Sequence, residues 1–418
     1  MKVMVVGGGG REHAIIKKIK KSPKVSQIYA LPGNGGIAAD ATCVNIGATD
    51  LERIVEFAKE NQIEFAVVAP DDPLVLGLVD LLKAEGIPCF GPEKKAAIIE
   101  GSKAFSKELM KKYGIPTAEY AIFEDMQKAL DYLDSCKIPV VVKADGLALG
   151  KGVIIAETLD EAKKAVRDMM EDKVFGESGS RVVIEEFLTG PEVSVLSFTD
   201  GETLRPMVTS MDHKRAYDGN QGPNTGGMGA FCPSPNYTPA IAAECMEKIF
   251  LPTVKAMQAE GRPFQGVLYF GLMLTQDGPK VVEYNARFGD PETQPILSML
   301  DTDLMDIFQA CVNGTLDQLE IRWKAGAACC IVLASGGYPV QYQSGYPISG
   351  LEEAGKLATV FHAGTKGDGN GRILTAGGRV LGVTAVGGSL EKAIETAYAA
   401  CKPIAFQDMH FRTDIGKV

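Results

Sequence analysis

No stretch of this sequence stays apolar for anything near the roughly 20 residues that cross a bilayer, so no membrane-spanning helix is expected. An excess of basic residues is missing too. The formal net charge is −10, and nucleic-acid binding needs clustered Lys and Arg, so no nucleic-acid partner is expected. The opening MKVMVVGGGG has too short an apolar run for a secretory signal and meets Gly at once. The expected location is therefore cytoplasmic. The nine cysteines are odd in number and show no metal-ligand spacing. Reduced, packed thiols fit that pattern, because no positioned base for a catalytic thiol is visible. Internal repeats and low-complexity tails are also lacking. What remains is an ordinary globular composition, 45% hydrophobic and 23% charged. At 418 residues the chain is too long for one core.

Its first hundred residues alternate strand-like and helix-like segments. KVMVVG leads through GGGREH to AIIKKIKK, LERIVEFAKEN to FAVVAP, and VLGLVDLLKAEG to IPCFGP. This rhythm predicts a parallel α/β sheet. Helical KAAIIEGSKAFSKELMKKYGIP follows, then a compact α+β unit over about 120–190. A larger unit comes next, interrupted by the polar, Gly-rich DHKRAYDGNQGPNTGGMGA, which reads as a long structureless functional loop or lid. From about 325 the chain turns β-rich and Gly-rich and closes on the helix LEKAIETAYAACK, as a separate small domain.

Chemistry gathers in four places. In VVEYNARFGDPETQ, Val281, Glu283, Asn285 and Arg287 fall on one face of an extended segment, and Val282, Tyr284 and Ala286 on the other. Glu283 and Asn285 are oxygen donors suited to Mg²⁺, and Arg287 to a carboxylate or phosphate. The same run also suits an edge strand with a solvated polar face. In VVVKADGLALGKGV, Lys143 ends a buried strand, and Gly146, Gly150, Lys151 and Gly152 make a flexible, cationic link. With Lys103 of EGSKAF these suit a polyphosphate, although P-loop spacing is absent. In VVIEEFLTGPEVS, Glu185, Glu186, Phe187 and Leu188 lead to a turn and Glu192. Such a linker offers backbone groups to an adenine edge and a carboxylate to ribose hydroxyls, and it equally suits two exposed glutamates at a strand end. In GGGGREHA, Gly8 and Gly10 open a helix whose amides suit a phosphate, and Gly33-Asn34-Gly35-Gly36 is a second such turn. The third glycine of a dinucleotide fingerprint falls at His13 and no acid ends QIYALPGNGG, so NAD is not expected. Both turns also read as plain tight turns.

Taken in order, the clusters resemble the ATP-grasp superfamily of carboxylate–amine ligases. Within it, GGGGREHA, GSKAF, VVVKADGLALGKGV, IEEFLTGPEVS, DHKRAYDGNQGPNTGGMGA and RFGDPETQ resemble the phosphoribosylamine–glycine ligases along essentially the whole chain. Two departures stand out: Pro70-Asp71-Asp72-Pro73 where the family commonly reads Pro-Glu, and Gly190-Pro191-Glu192 where it reads Gly-Glu-Glu. Both keep an acid nearby.

The resemblance implies a multidomain α/β chain with a Rossmann-like domain over 1–101. An ATP-grasp core of two α+β subdomains would span 102–325, with 120–190 a mobile cover for ATP. A small C-terminal domain would take 326–418. It implies ligation of glycine to 5-phosphoribosylamine with ATP as co-substrate and Mg²⁺ or Mn²⁺ as cofactor. Lys103, Lys143, Gly150, Lys151, Gly152, Glu185, Glu186, Phe187, Leu188 and Glu192 would bind ATP, and Glu283 and Asn285 the metal. Arg287 would hold the glycine carboxylate or acyl phosphate, and Asp290 the glycine ammonium. Asp212, Lys214 and the candidate His213 would close over the acyl phosphate. Gly8, Gly10, Arg11, Glu12, Asn34 and Gly35 would receive phosphoribosylamine, with a transient contact to the enzyme that supplies it. Rival expectations are another ATP-grasp ligase or carboxylase, and a non-catalytic nucleotide sensor.

Overall fold

The structure, a computed structural model, describes residues 1–147, 152–172, 174 and 176–417. Lys2–Gly7, buried from Val3 to Gly7, is the middle of a five-stranded parallel sheet. The strand order is Thr42–Cys43, Gln27–Pro32, Lys2–Gly7, Phe65–Val68, Cys89–Phe90. This is the doubly-wound order, in which ligands lie beyond the carboxyl ends of the strands. The expected helix over VLGLVDLLKAEG is broken in two at Gly77, whose φ of +98° suits glycine.

Two antiparallel sheets follow. Tyr120–Phe123, Val182–Glu186, Val140–Ala144 and Val153–Ala156 form the first, covered by helices Met126–Leu133 and Leu159–Met170. The second is the central sheet, ordered Leu204–Pro206, Glu192–Asp200, Gln265–Thr275, Gly278–Asn285. Core packing distinguishes them. The first sheet and its helices enclose an apolar cluster of their own, around Leu133, Val142, Val166 and Ile184. The parallel sheet and the central sheet share both of theirs: Val6 and Leu31 with Leu268 and Tyr284, and Val5 and Ile15 with Phe198 and Phe308.

The last sheet departs from the sequence reading. Ala327–Ala334, Arg379–Gly387 and Thr359–His362 belong to the C-terminal segment, but Met211–Asp212 and Gly229–Cys232 join the same sheet from the middle of the chain. The stretch between them is not structureless. Arg215–Tyr217 and Gln221–Asn224 pair as a short hairpin. No helix among the described residues is long and apolar enough to cross a membrane, and all nine cysteines are free thiols, seven of them buried.

His13 and His362 join the first and last sheets. The His362 amide donates to His13 Nδ1 at 2.8 Å, so His13 Nε2 carries the proton and donates to Asp40 Oδ2 at 3.1 Å. His362 Nδ1 lies 3.1 Å from Thr365 Oγ1. Burial lowers both imidazoles, His362 to about 3; Lys17 adds to the effect and Asp40 opposes it in both, and the His13 ring lowers His362 further. Their folded values lie below 6.5, so between pH 6.5 and the folded value the unfolded chain binds the extra protons. Stability is present above 6.5 and is lost as pH falls, by about 1.4 kcal/mol per pH unit for each histidine. The thermal unfolding midpoint should therefore drop less steeply between pH 6.5 and about pH 5 in His362→Gln than in the parent. Equal slopes would remove His362 from the acid response.

Candidate active site

A β-bulge sets the site. Along Gln265–Thr275, Gly271 faces Glu283 but Leu272 faces Val281, so Val282 is an extra residue. Strict alternation is broken there, which corrects the face assignment made from the sequence: Val281 packs in the core with Tyr284 and Ala286. Glu283, Asn285 and Arg287 remain partly exposed.

Arg287 is anchored from outside its strand. Its Nη2 is 2.8 Å from Glu100 Oε1, 3.3 Å from Asn285 Oδ1 and 3.9 Å from Asp71 Oδ2. Glu100 Oε2 accepts the Ala286 amide at 2.7 Å, fixing the backbone beside it. Burial raises the Glu100 carboxyl, against the pull of Arg287. Asp71 stands in the departing Pro-Asp-Asp-Pro stretch. Burial acts to raise its carboxyl, but Arg287 and Arg11 hold it below the usual range.

Lys143 ends its strand as expected, buried, with Nζ donating to the Val282 carbonyl at 3.0 Å. The same Nζ is 3.0 Å from Glu185 Oε1, an ionic contact without hydrogen-bond alignment. Glu185 Oε2 is 2.9 Å from Lys107 Nζ, and all three side chains are at most 4% exposed. Glu185 is therefore not an exposed strand-end acid but a buried bridge between two lysines. Burial lowers Lys107 to about 8 against the pull of Glu185. Lys107 was missed because its helix reads as an ordinary amphipathic one. Lys103 donates to the Gly146 carbonyl at 3.1 Å. Gly152 accepts from the Ala144 amide at 2.8 Å, while Gly150 and Lys151 lie outside the described residues. Glu186 is paired with Lys280 at 3.3 Å. Phe187 is 38% exposed and Leu188 half-buried, so the linker beyond Glu186 is open to a ligand.

Across the cleft, Lys214 Nζ lies 3.2 Å from Glu192 Oε2 and 3.8 Å from Glu283 Oε1. Loss of solvent acts to raise Glu283, but Lys214, Lys143, Lys103 and Arg287 together hold it ionised, below the usual carboxylate range. Asp212 goes the other way, to about 7: burial lifts it, Lys214 opposes, and Glu292, Glu192 and Glu283 push it further. Glu292 is buried and accepts from Tyr269 at 2.9 Å, and that hydroxyl also meets Ser194 Oγ at 2.7 Å. Nothing in the sequence singles out Tyr269, which sits in an apolar core strand. His213 does not face this cleft. It accepts from the Gly416 amide, and burial and Arg412 lower it to about 4.

In the N-terminal turns, the helix Gly10–Ile19 is expected to offer its amides to a phosphate, and in this structure the chain's own carboxylates hold two of them. Glu12 Oε2 takes the Gly9 amide at 2.6 Å and Asp290 Oδ2 the Arg11 amide at 3.3 Å. Glu12 Oε1 also holds Arg11 Nε at 2.6 Å, and Arg11 Nη1 donates to the Phe288 carbonyl. Asn34 ties the turns together, donating to the carbonyls of Gly8 and His362 and accepting from the amides of Gly36 and Ile37. The Gly35 amide donates to Thr365 O. A side chain at Gly8 would run into the Gly33 carbonyl, so glycine there allows two turns of the chain itself to meet. Asp290, expected at the glycine ammonium, instead accepts from Gln294 at 2.8 Å and faces Arg379 at 3.6 Å. Burial acts to raise it, but Arg379 and Arg11 keep it below the usual range.

No group of three or more His, Cys, Asp or Glu among the described residues forms a metal cage. An ionised Glu283 beside the Asn285 amide oxygen suits instead a hard cation held largely by substrate phosphates and water.

Family models cover most of the chain: phosphoribosylglycinamide synthetase N domain over 1–100, its ATP-grasp (A) domain over 101–293, and its C domain over 328–418. The chain is 49% identical over 415 residues to the phosphoribosylamine–glycine ligase of Caldanaerobacter subterraneus subsp. tengcongensis, covering 99% of each chain. To that of Vibrio vulnificus it is 50% identical over 420 residues, covering 100% of this chain and 98% of the other. A crystal structure of phosphoribosylamine–glycine ligase from Thermotoga maritima matches with a TM-score of 0.88 at 32% identity, over the full length of both chains. The biotin carboxylase domain of a Hydrogenobacter thermophilus 2-oxoglutarate carboxylase shares the fold, with a TM-score of 0.73 at 18% identity over 98% of this chain and 91% of that one.

The buried lysine pair yields a test. In Lys107→Met, Glu185 is left to Lys143 alone, whose charge is then cancelled. The ATP KM should rise about tenfold, equivalent to ~1.4 kcal/mol, with the glycine KM little changed. An unaltered ATP KM would assign Lys107 to packing.

Proposed function

The chain belongs to the phosphoribosylglycinamide synthetase family, and on that footing we propose how its cleft carries out the family's reaction. It is an ATP-dependent carboxylate–amine ligase of purine biosynthesis that joins glycine to phosphoribosylamine. The observation that carries the residue assignment is the gathering of cations around one carboxylate. Lys143 holds the Val282 carbonyl beside Glu283, and Lys214, Lys143, Lys103 and Arg287 together keep Glu283 ionised, with Glu192 on Lys214.

A carboxylate resists attack by an amine because its oxide is a poor leaving group. In the proposed sequence a glycine carboxylate oxygen attacks the γ-phosphorus of ATP, the bond to the β-phosphate oxygen breaks, and ADP leaves. The amine of phosphoribosylamine then attacks the acyl carbon of glycyl phosphate, losing a proton as phosphate departs. Both steps need alignment and charge neutralisation more than covalent help from the protein. Lys143, Lys103 and Lys151 would offset phosphate charge, Glu186 to Leu188 would border the adenine, and Glu192 would take the ribose hydroxyls. Glu283 and Asn285 would hold Mg²⁺ or Mn²⁺, which neutralises β- and γ-phosphate charge when bound. Arg287, fixed by Glu100, would orient the carboxylate that becomes the acyl phosphate. Lys214 and Asp212 would stand over that group from the hairpin side. Phosphoribosylamine would enter beside Gly8, Gly10, Arg11 and Gly35, of which Gly10 and Arg11 adjoin Asp290 and Arg11 reaches the Phe288 carbonyl. Because Asp290 is engaged there and Glu292 accepts from Tyr269, Asp212 would be the freer acid for the glycine ammonium.

ADP release in the presence of ATP and Mg²⁺ should require both glycine and freshly generated phosphoribosylamine, with bicarbonate unable to replace glycine. Release driven by another carboxylate would keep the ATP-grasp chemistry and overturn the substrate. Glu283→Gln should lower kcat at least about 100-fold with the fold intact. Near-normal turnover at saturating Mg²⁺ would take Glu283 out of the metal site.

A further inference from the structure

The hairpin that follows Lys214 is too small to hold itself in place. Its strands, Arg215–Tyr217 and Gln221–Asn224, are short, irregular in register and largely exposed. An isolated two-stranded hairpin is marginal in water. What holds it comes from the far end of the sequence. Arg412 is 1% exposed and forks onto Asp414, Nε to Oδ1 at 2.7 Å and Nη2 to Oδ2 at 2.8 Å. Its Nη1 donates to the Arg215 carbonyl and to Asn220 Oδ1, both at 3.1 Å. Asp414 Oδ2 also accepts the Gly219 amide at 2.9 Å. Thr413 donates its amide to Asp218 at 2.8 Å and shares a hydroxyl contact with the same carboxylate. His410 Nε2 donates to the Ala216 carbonyl at 2.8 Å, and the Gly416 amide reaches His213. The tail is itself tied to the last helix, since Tyr398 donates to the Arg412 carbonyl and accepts from the Ile415 amide.

We propose that residues 410–416 form a strap, with Arg412 as its positioning residue, that fixes Asp212 and Lys214 against the cleft for catalysis. Arg215, whose carbonyl Arg412 holds, directly follows Lys214. The backbone of Asp212–Lys214 is laddered to Thr225–Ala230 on its other side. The strap thus closes the one side that the sheet leaves open. A buried guanidinium is costly to desolvate and persists where its fork is fully matched. Here Nε, Nη1 and Nη2 all have partners.

The inference rests on the proposed roles of Asp212 and Lys214, so its test needs a readout that does not depend on them. Arg412→Met, Arg412→Lys and Thr413→Val in the full chain should each be compared with the parent in thermal unfolding, in trypsin cleavage after Lys214 and Arg215, and in kinetics. Arg412→Met is expected to be cut at least about tenfold faster, to lose about 30-fold in kcat, and to raise the glycine KM. ATP affinity should hold within about threefold, because Lys143 sits on another sheet and Lys103 on a helix that the strap does not touch. Arg412→Lys should recover little, since an ammonium cannot reproduce the fork. Thr413→Val, milder and at an exposed position, should lose about threefold in kcat with an unchanged midpoint, and it decides the matter if Arg412→Met fails to fold. Folded variants with parental kcat and glycine KM overturn the positioning role, even where trypsin cuts faster. A parent that releases no glycine-dependent ADP overturns the reading of the reaction instead, while the cleavage rates still test the strap.

Discussion

One extra residue in one strand decides what the cleft contains. Without Val282 as a bulge, Val281 would share a face with Glu283 and either the core or the cleft would lose a side chain. The insertion lets the strand begin as core and end as chemistry. Three neighbours then hold that ending in place: Glu100 grips the Ala286 amide and the Arg287 guanidinium, Lys143 donates to the Val282 carbonyl, and Tyr269 fixes Glu292. Each comes from a different element, so the site depends on their meeting at this one irregular strand end.

Electrostatics follows from that arrangement. A pair of Lys143 and Glu185 alone would be neutral. Lys107 restores a net positive charge while keeping Glu185 matched in a dry setting. Four acids stand near Lys214 and Arg287, and Asp212 rises to about 7, mainly through burial, with the other three acids adding to it. Cations and acids interleaved at one strand end suit a substrate set carrying phosphates, a carboxylate and an ammonium together.

The sequence revealed this site where chemistry is local and concealed it where chemistry depends on contacts between distant segments. Glu283, Asn285, Arg287, Lys143 and Lys103 stand in short runs with enough character to be identified, and the strand–helix rhythm predicted the parallel sheet. The partners of the N-terminal turns were hidden because Asp290, which takes the Arg11 amide, lies 279 positions away from Arg11. Glu185 looked exposed because nothing local announces that Lys107 meets it. The middle loop looked structureless because its partners are residues 410–416, and because its flanking strands pair in a sheet whose other members lie beyond residue 325.

The division of the apolar cores bears on how the chain assembles as it is made. The parallel sheet comes first off the ribosome, yet its faces are completed by Leu268, Tyr284, Ile296 and Phe308. For most of synthesis the first hundred residues carry uncovered apolar surface, a condition that favours chaperone capture. The sheet ending at Glu186 closes its own cluster as soon as Ile184 emerges. The order of folding is therefore not the order of translation: a middle piece sets first, and the beginning of the chain waits for what lies two hundred residues downstream.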